Sequence, residues 1–321
     1  MSLEDLVKDG IKNIPAYIPG DTAESVEKKY GIAPEDILKL ASNENQFGPS
    51  PKAVEAMAKE VGRVHIYPDP FCIEIRKKIG VMNGFDDSGD NVVIAVGASG
   101  ILSLLGEVFI KKGDEVIFCE PTFGAYVGAV IRNDGTPVVL PLTEDLKFDL
   151  KAMYNAITDK TKMIVICSPN NPIGGILTKE TLEGVADVVK DKNLLICSDE
   201  IYERLTFDGE TAPSPALIPS LRDKTIIING FSKAFSMTGW RIGYVIAPLC
   251  YMEPLTLHSG FQISGIATYN AEAAAAALND DAKYHTVDAM RAEFEKRRNY
   301  FVSEINKTAH FSCLKPKGAF Y

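Results

Sequence analysis

Seven short apolar runs alternate with longer helical patterns between about residues 91 and 248. The runs are nearly continuous in Val and Ile, which is typical of strands that are buried on both faces. The predicted strands are residues 91–96, 115–119, 137–140, 163–167, 194–198, 225–229 and 243–247. Helical patterns lie between them, for example at 101–110 and 178–190. This alternation predicts an α/β fold, with a mainly parallel seven-stranded sheet flanked by helices.

The two ends of the chain follow a different pattern. Residues 42–51 are rich in Asn, Gly and Pro and predict an ordered loop, and Ser50-Pro51 then begins a helix that runs through Ala58. After Pro248 the pattern predicts a loop. An alanine-rich segment at 271–278 and a long charged helix at about 281–305 follow it.

The pattern therefore predicts two domains. The expected division is an N-terminal segment, 1–45, that contributes to a small domain, a large domain, 46–270, and the remainder of the small domain, 271–321.

Composition narrows the classes of function. The chain is 46% hydrophobic and 24% charged with a net charge of −9, which is typical of a soluble enzyme, and no basic run predicts a nucleic-acid partner. No apolar run reaches membrane-spanning length and the N-terminus does not resemble a targeting segment, so a cytoplasmic location is expected. Six cysteines without a CxxC pair and four scattered histidines predict neither a disulfide framework nor a metal site.

Polar and glycine-rich segments follow the predicted strands, at the edge where parallel sheets bind ligands. Residues 97–100 (Gly-Ala-Ser-Gly) can hold a phosphate on backbone amides at a helix N-terminus, or Ser99 can be an ordinary N-cap. Asn171 can donate to an anionic oxygen or belong to a plain tight turn. Asp199 ends a buried strand, where a carboxylate is costly without a partner, or it caps the next turn. Tyr202, three residues on, offers a phenol.

Lys233 lies just past a buried strand, within the segment Gly-Phe-Ser-Lys-Ala-Phe-Ser-Met-Thr-Gly-Trp-Arg-Ile-Gly at 230–243. Partial desolvation there lowers the pKa of the amine and makes it a better nucleophile toward a carbonyl. Arg241, eight residues later, can bind a phosphate through two N–H groups. A lone lysine is usually a solvated surface charge, but the glycines, hydroxyls and arginine around this one favour a functional interpretation.

The segment 230–243 resembles, position by position, the attachment signature for pyridoxal 5′-phosphate (PLP) in class I/II, fold type I, aminotransferases. The other strand-end motifs resemble the same family in the same order, and the resemblance extends from Leu40 to Tyr321. It implies transfer of an amino group from an amino acid or amino-phosphate to a 2-oxo acid, with 2-oxoglutarate expected.

The resemblance also implies roles for individual residues. Lys233 resembles the lysine that forms a Schiff base with the cofactor and moves a proton at the substrate α-carbon. Asp199 resembles the carboxylate that keeps the pyridine nitrogen protonated, and Tyr202 resembles the phenol that hydrogen-bonds the ring's phenolic oxygen. These three are the implied catalytic residues. The implied cofactor contacts are Lys233, Ala98, Ser99, Phe123, Asn171, Asp199, Tyr202, Ser232, Arg241 and Tyr67.

Two of these contacts have distinct geometries. Phe123 stands where the family stacks an aromatic ring on the cofactor. Tyr67, in Tyr-Pro-Asp-Pro at 67–70, resembles a tyrosine that reaches the phosphate of the neighbouring subunit. The resemblance therefore implies a homodimer with shared active sites.

Two departures from the family pattern stand out. Gly230 lies where many members have a Ser or Thr whose hydroxyl contacts the phosphate, and Ser236 is a candidate replacement. In the family, an arginine that binds the substrate α-carboxylate follows the position of Tyr321, so we expect the small domain of these 321 residues to be incomplete.

Substrate identity is divided between two subgroups. Residues 40–45 (Leu-Ala-Ser-Asn-Glu-Asn) and 67–70 resemble histidinol-phosphate aminotransferases, which is the interpretation slightly preferred. Residues 236–244 resemble aspartate or aromatic aminotransferases instead. Decarboxylation or β-elimination would use the same Lys233 and Asp199 and stays open. A non-catalytic PLP-binding regulatory module is less expected, because the residues before Leu40 have no helix-turn-helix pattern.

Overall fold

A seven-stranded sheet lies at the centre of the computed structural model, which describes residues 6–15 and 20–321. The strands are β1 Val92–Val96, β2 Glu115–Glu120, β3 Thr136–Pro141, β4 Thr161–Cys167, β5 Leu195–Asp199, β6 Thr225–Gly230 and β7 Ile242–Ile246. Their order is β1-β7-β6-β5-β4-β2-β3, and only the pairings of β7 with β1 and β6 are antiparallel. The predicted mainly parallel sheet is confirmed, with each strand within two residues of its expected bounds.

Helices cover both faces of this sheet. The helices of the described residues are α1 Asp9–Lys12, α2 Ala23–Tyr30, α3 Pro51–Glu60, α4 Ile73–Met82, α5 Gly97–Phe109, α6 Ala125–Ile131, α7 Leu150–Ala156, α8 Lys179–Val188, α9 Leu249–Ile263, α10 Thr268–Tyr284 and α11 Thr286–Ile305. One face packs against α5, α6 and α9, and the other against α4 and α10 at one end and α7 and α8 at the other. Because apolar side chains leave both faces, β5 and β7 are buried along their whole length.

The residues after Pro248 form a helix instead of the predicted loop. Helix α9 begins at Leu249 and contains Pro254, whose ring removes a backbone donor and normally disfavours a helix interior. Met252 and Leu255 are buried in the apolar core on the α5 side of the sheet. Tertiary burial therefore outweighs the local signal from proline at this position.

The predicted charged helix begins five residues later than expected. Residues 281–284 belong to α10, and His285 then takes a left-handed conformation, with φ 52°, before α11 starts at Thr286. The Asp281 carboxylate accepts hydrogen bonds from the backbone N–H of Val287 (2.9 Å) and from the Thr286 hydroxyl (3.3 Å). It also pairs with Arg204 at 2.9 Å. This carboxylate stabilises the start of α11 and so separates the two helices.

The last residues dock onto the loop that follows β5. Gly318 forms an isolated bridge with Thr206, and the N–H of Ala319 donates to the carbonyl oxygen of Leu205 at 2.8 Å. Phe320 and Tyr321 are thereby carried to the carboxyl edge of the sheet. The domain division stays a prediction, and α10 crosses its expected boundary at 270/271 and packs on α3. Within the described residues, no helix is both long and apolar enough to cross a membrane.

Candidate active site

Three neighbouring parallel strands bring the predicted residues to one edge of the sheet. Cys167, the last residue of β4, lies opposite Asp199 in β5, and Asp199 lies opposite Ile228 in β6. Asn171 and Lys233 come shortly after β4 and β6, so both follow the same sheet edge as Asp199. The adjacency of β4, β5 and β6 explains why segments far apart in sequence converge here.

The Lys233 amine lies in a half-buried position between polar and aromatic groups. Its Nζ donates to the carbonyl oxygen of Asn43 at 2.8 Å. The ring centroids of Tyr202 and Phe320 are 5.8 and 6.0 Å from Nζ. Burial lowers the pKa of the amine to about 8, with Asp199 acting in the opposite direction. At this pKa a substantial fraction of the amine is neutral near pH 8 and able to attack a carbonyl.

Asp199 is almost completely buried, with 3% of its surface exposed. The Tyr126 hydroxyl donates to its Oδ2 at 2.7 Å, and the backbone N–H of Ile201 donates to Oδ1 at 3.2 Å. Burial raises the pKa of the carboxyl group, and the hydrogen bond from Tyr126 opposes that rise. A cation placed against this carboxylate would favour its ionised form.

Tyr126 is one of the site residues that the sequence pattern did not predict. It lies in α6, three residues after Phe123, and is fully buried. Its ring packs edge-on against Phe123, with centroids 5.6 Å apart. The sequence does show a tyrosine three residues after Phe123. Its contact with Asp199, however, depends on β2 and β4 being neighbours in the sheet, which the sequence does not reveal.

A pair of phenols lies beside the lysine. The hydroxyl oxygens of Tyr202 and Tyr321 are 2.6 Å apart, and the Asn43 side-chain amide donates to the Tyr321 hydroxyl at 2.9 Å. Asn43 therefore contacts both Lys233, through its backbone, and Tyr321, through its side chain. Burial raises the pKa of both tyrosines, so both are neutral hydrogen-bonding groups.

Arg241 packs against the N-terminus of α5. Gly97 has a positive φ of 68°, and a Cβ added there would lie 2.6 Å from the Arg241 Nη2. Val96 caps α5 without a side-chain hydrogen bond, so Ser99 is not the N-cap that the alternative interpretation expected. The result is a guanidinium beside the N-terminal amides of α5, including those of Ala98 and Ser99, an arrangement that is able to bind a phosphate.

The loop after β6 holds this guanidinium in place. Arg241 Nη1 donates to the carbonyl oxygen of Thr238 at 3.0 Å, and the Thr238 hydroxyl donates to the carbonyl oxygen of Ser232 at 2.9 Å. Ser232 itself is buried. Hydrogen bonds within residues 232–241 therefore stabilise the conformation of the segment that joins Lys233 to Arg241.

Gly230 has no room for a hydroxyl-bearing side chain without a shift of the neighbouring backbone. It pairs with Gly243 across β6 and β7, and a Cβ at Gly230 would lie 2.8 Å from the carbonyl oxygen of Ile242 and 3.0 Å from the Gly243 Cα. The candidate replacement, Ser236, has its Oγ 3.5 Å from the Met290 sulfur. Its hydroxyl therefore has a contact within this chain.

Asn171 is half-buried in the loop after β4.

Tyr67 lies elsewhere: it is 89% exposed, and within residues 6–15 and 20–321 it makes no hydrogen bond to the other predicted site residues. The single chain thus assembles the lysine, carboxylate, phenol and guanidinium but does not bring Tyr67 to them.

This geometry agrees with comparisons to known proteins. The sequence model of the family described as Aminotransferase class I and II matches residues 35–321. The chain belongs to the class I and II aminotransferases.

Proteins similar to this aminotransferase are named after different amino donors. It is 35% identical to aromatic-amino-acid aminotransferase 2 of Thermococcus litoralis, over 89% of this chain and 76% of that protein. It is 34% identical to the histidinol-phosphate aminotransferase of Moorella thermoacetica, over 93% of this chain and 74% of that protein. The crystal structure of aspartate aminotransferase from Thermotoga maritima superposes with a TM-score of 0.85 at 30% identity, and the match covers 98% of this chain and 84% of that one.

The cofactor of this aminotransferase is PLP. The described residues fit it, because the Gly97–Arg241 contact leaves a cationic group beside helix amides while a half-buried amine lies one loop away. The predicted family, enzyme class and cofactor are confirmed.

Proposed function

We propose that this aminotransferase transfers the amino group of an aromatic amino acid to 2-oxoglutarate. The single observation that carries the choice of donor is a row of aromatic side chains beside the Lys233 amine. In this aromatic row, Phe47 packs on Phe294, Phe294 on Phe320 and Phe320 on Tyr202, with centroid separations of 5.2, 5.2 and 5.6 Å. Aromatic groups of this kind favour an apolar ring in the substrate over a phosphate.

The residue roles in this proposal are those that the family resemblance implies, and the contacts around Lys233 and Asp199 support them. PLP, when bound, supplies an electron-withdrawing ring that stabilises negative charge at the substrate α-carbon. Lys233 holds the cofactor and takes and returns a proton at that carbon, which suits an amine with a pKa of about 8. Asp199 holds a proton on the ring nitrogen. Tyr202 and Asn171 would donate hydrogen bonds to the ring hydroxyl oxygen of bound PLP.

The remaining residues in this proposal bind the phosphate of PLP and orient its ring. Arg241 and the amides of Ala98 and Ser99, with Ser232, would hold the phosphate of PLP, and Phe123 would supply an aromatic contact to its ring. Tyr67 reaches the phosphate of a second copy of the chain, so the active unit is a homodimer.

A panel of amino donors tests the proposal. With 2-oxoglutarate as acceptor, we expect glutamate formation with a higher kcat/KM for phenylalanine or tyrosine than for aspartate or histidinol phosphate. Lys233→Ala should abolish turnover and the visible colour of the cofactor-loaded protein. Formation of an amine or an elimination product without glutamate would indicate a decarboxylase or lyase instead.

Substitution in the aromatic row provides a sharper test. Phe320→Leu should lower kcat/KM for phenylalanine about threefold to tenfold, since an aromatic pair contributes roughly 0.5–1.5 kcal/mol beyond burial. Its effect on aspartate should be smaller. Phe311→Leu, at a phenylalanine that is 69% exposed, is the matched control and should leave both donors unaffected. Equal losses for phenylalanine and aspartate would argue against recognition of the donor by this row.

Histidinol phosphate is the second candidate donor. It is favoured by the motifs at 40–45 and 67–70, and a relative bearing that name is 34% identical. A kcat/KM for histidinol phosphate above that for every aromatic amino acid would make it the preferred donor.

A further inference from the structure

Tyr321 contributes a hydroxyl to the site that none of the proposed roles uses. This hydroxyl lies 2.6 Å from the Tyr202 hydroxyl and accepts a hydrogen bond from the Asn43 side-chain amide at 2.9 Å. Tyr321 is only partly buried, while Tyr202 is 2% exposed. The shared hydrogen bond therefore forms at the bottom of the site, between the aromatic rings and the lysine.

The groups fix the direction of one of these hydrogen bonds, and either tyrosine can be the donor in the other. A side-chain amide nitrogen can only donate, so the Tyr321 oxygen accepts from Asn43. The Tyr321 proton is then free to be donated to the Tyr202 oxygen, 2.6 Å away. In this one of the two possible directions, the Tyr202 oxygen is the acceptor and its own proton is available for a third group.

The backbone of Asn43 fixes the start of this chain of donors. Its carbonyl oxygen accepts from the Lys233 Nζ at 2.8 Å, and the Asn45 side chain donates to the Lys233 carbonyl oxygen at 3.0 Å. The loop at 43–45 is thus attached to the lysine at two points. A displacement of the loop would move the Asn43 amide away from Tyr321.

We propose that Tyr321, with Asn43, is a positioning residue that makes Tyr202 a hydrogen-bond donor to the ring hydroxyl oxygen of PLP. The inference rests on the proposed role of Tyr202. Hydrogen bonds in such a chain polarise one another, so donation from Tyr321 strengthens the donation that Tyr202 makes. The pair stabilises the ionised form of the ring hydroxyl, and its loss should raise the pH at which that group titrates.

Variants that remove single hydroxyls test this on the PLP-loaded full chain. The proteins are Tyr321→Phe, Tyr202→Phe, the double variant, and Tyr300→Phe as a matched control whose ring is 71% exposed. Two quantities are measured: the pH midpoint of the visible absorbance and the dissociation constant for PLP added to the apoprotein. Thermal unfolding of each apoprotein confirms that the fold is retained.

We expect Tyr321→Phe to raise the midpoint by about 0.5 pH unit, in the same direction as Tyr202→Phe and by less, and to weaken PLP binding about twofold. The double variant should match Tyr202→Phe alone, because Tyr321 acts through Tyr202. Tyr300→Phe should match the unmodified protein.

The outcomes separate this inference from the proposed function. A shift for Tyr202→Phe with none for Tyr321→Phe, or fully additive shifts in the double variant, overturns the inference and leaves the role of Tyr202 intact. No shift in either single variant overturns both. Visible colour retained by Lys233→Ala would overturn the proposed attachment of PLP itself, independently of the tyrosines.

Discussion

The Lys233 amine donates to a backbone carbonyl and lies near two aromatic rings, and burial is the main cause of its lowered pKa of about 8. Asp199 acts against that effect, while Arg241 lowers the pKa further. The neutral amine, which is the nucleophile, therefore becomes the majority form above pH 8 instead of above the ordinary value of roughly 10.4.

Capture of PLP by the apoprotein should show this pKa. We expect its rate to increase with pH through a midpoint near 8, because the neutral fraction of Lys233 increases there. Stopped-flow absorbance between pH 6 and about 10 measures it. A midpoint near that of an unperturbed lysine would contradict the effect of burial on this amine.

Tyr126 should support the ionised form of Asp199. Tyr126→Phe removes the 2.7 Å donor from a buried carboxylate, which should lower the free energy of unfolding by about 1–3 kcal/mol. The pKa of Asp199 should rise further, so PLP affinity should begin to fall at a higher pH as the solution is acidified. Isothermal titration with PLP at several pH values checks this. Tyr154→Phe, at a largely exposed tyrosine, is the control, and an equal effect there would remove Tyr126 from the site.

At the residue scale, strand ends were the useful signal in the sequence. Lys233, Asp199 and Tyr202 were expected at or just after buried strands and lie there, while their roles stay predictions. The contacts of Tyr126 and Tyr321 could not be predicted in this way. They depend on which strands are neighbours and on how residues 318–321 fold back onto the loop after β5.

At the scale of elements, the strands were predictable and the helices that cover them less so. Runs of Val and Ile specify a strand buried on both faces, whatever its partner. Helix α9 was missed because Pro254 argues locally against a helix, while the packing of Leu255 favours one. The break at His285 depends on the long-range contacts of Asp281, which no local pattern reports.

Arg298 joins α11 to two other segments. It is 8% exposed and makes two hydrogen bonds with the Asp208 carboxylate, at 2.8 and 2.9 Å, and one with the carbonyl oxygen of Pro316 at 2.7 Å. Its guanidinium also lies over the Phe207 ring, 4.7 Å from the centroid. These contacts hold α11 against the loop after β5 and against the chain that leads to Tyr321.

Removing Arg298 should therefore destabilise the protein and disturb the site. Arg298→Ala should lower the free energy of unfolding by about 1–3 kcal/mol, because a buried guanidinium loses its hydrogen bonds to the exposed Asp208 and to the carbonyl oxygen of Pro316. Arg297→Ala, one residue earlier and paired with Glu293 at the surface, is the matched control and should cost less than about 1 kcal/mol. Denaturant unfolding measures both. Similar losses would mean that the buried contacts add little.

The whole molecule presents an apolar surface around Tyr67. Exposed side chains here include Val64, Ile66, Tyr67, Phe71 and Phe261. Phe71 and Phe261 also line a groove of about 690 Å³ between residues 71–76 and α9. A surface of this kind favours association with another protein, and the proposed homodimer gives it an occupant.

Mixed dimers should reveal whether Tyr67 acts across the interface. Lys233→Ala and Tyr67→Ala should each be impaired alone, for lack of the amine and of a phosphate contact. In a dimer with one chain of each type, one site has an intact Lys233 and an intact partner Tyr67. Co-expression with two affinity tags should therefore restore part of the activity. If the mixed dimers were no more active than the single variants, Tyr67 would act within its own chain.

The pairing of Gly230 with Gly243 also constrains how this sequence can evolve. A serine at 230 would place its Cβ 2.8 Å from the carbonyl oxygen of Ile242, and a side chain at 243 would meet the Gly97 backbone at 2.7 Å. Either change alone requires the backbone of β6, β7 or α5 to move. A hydroxyl-bearing side chain at position 230 therefore faces an epistatic barrier in this chain: compensating changes in the neighbouring backbone must come first.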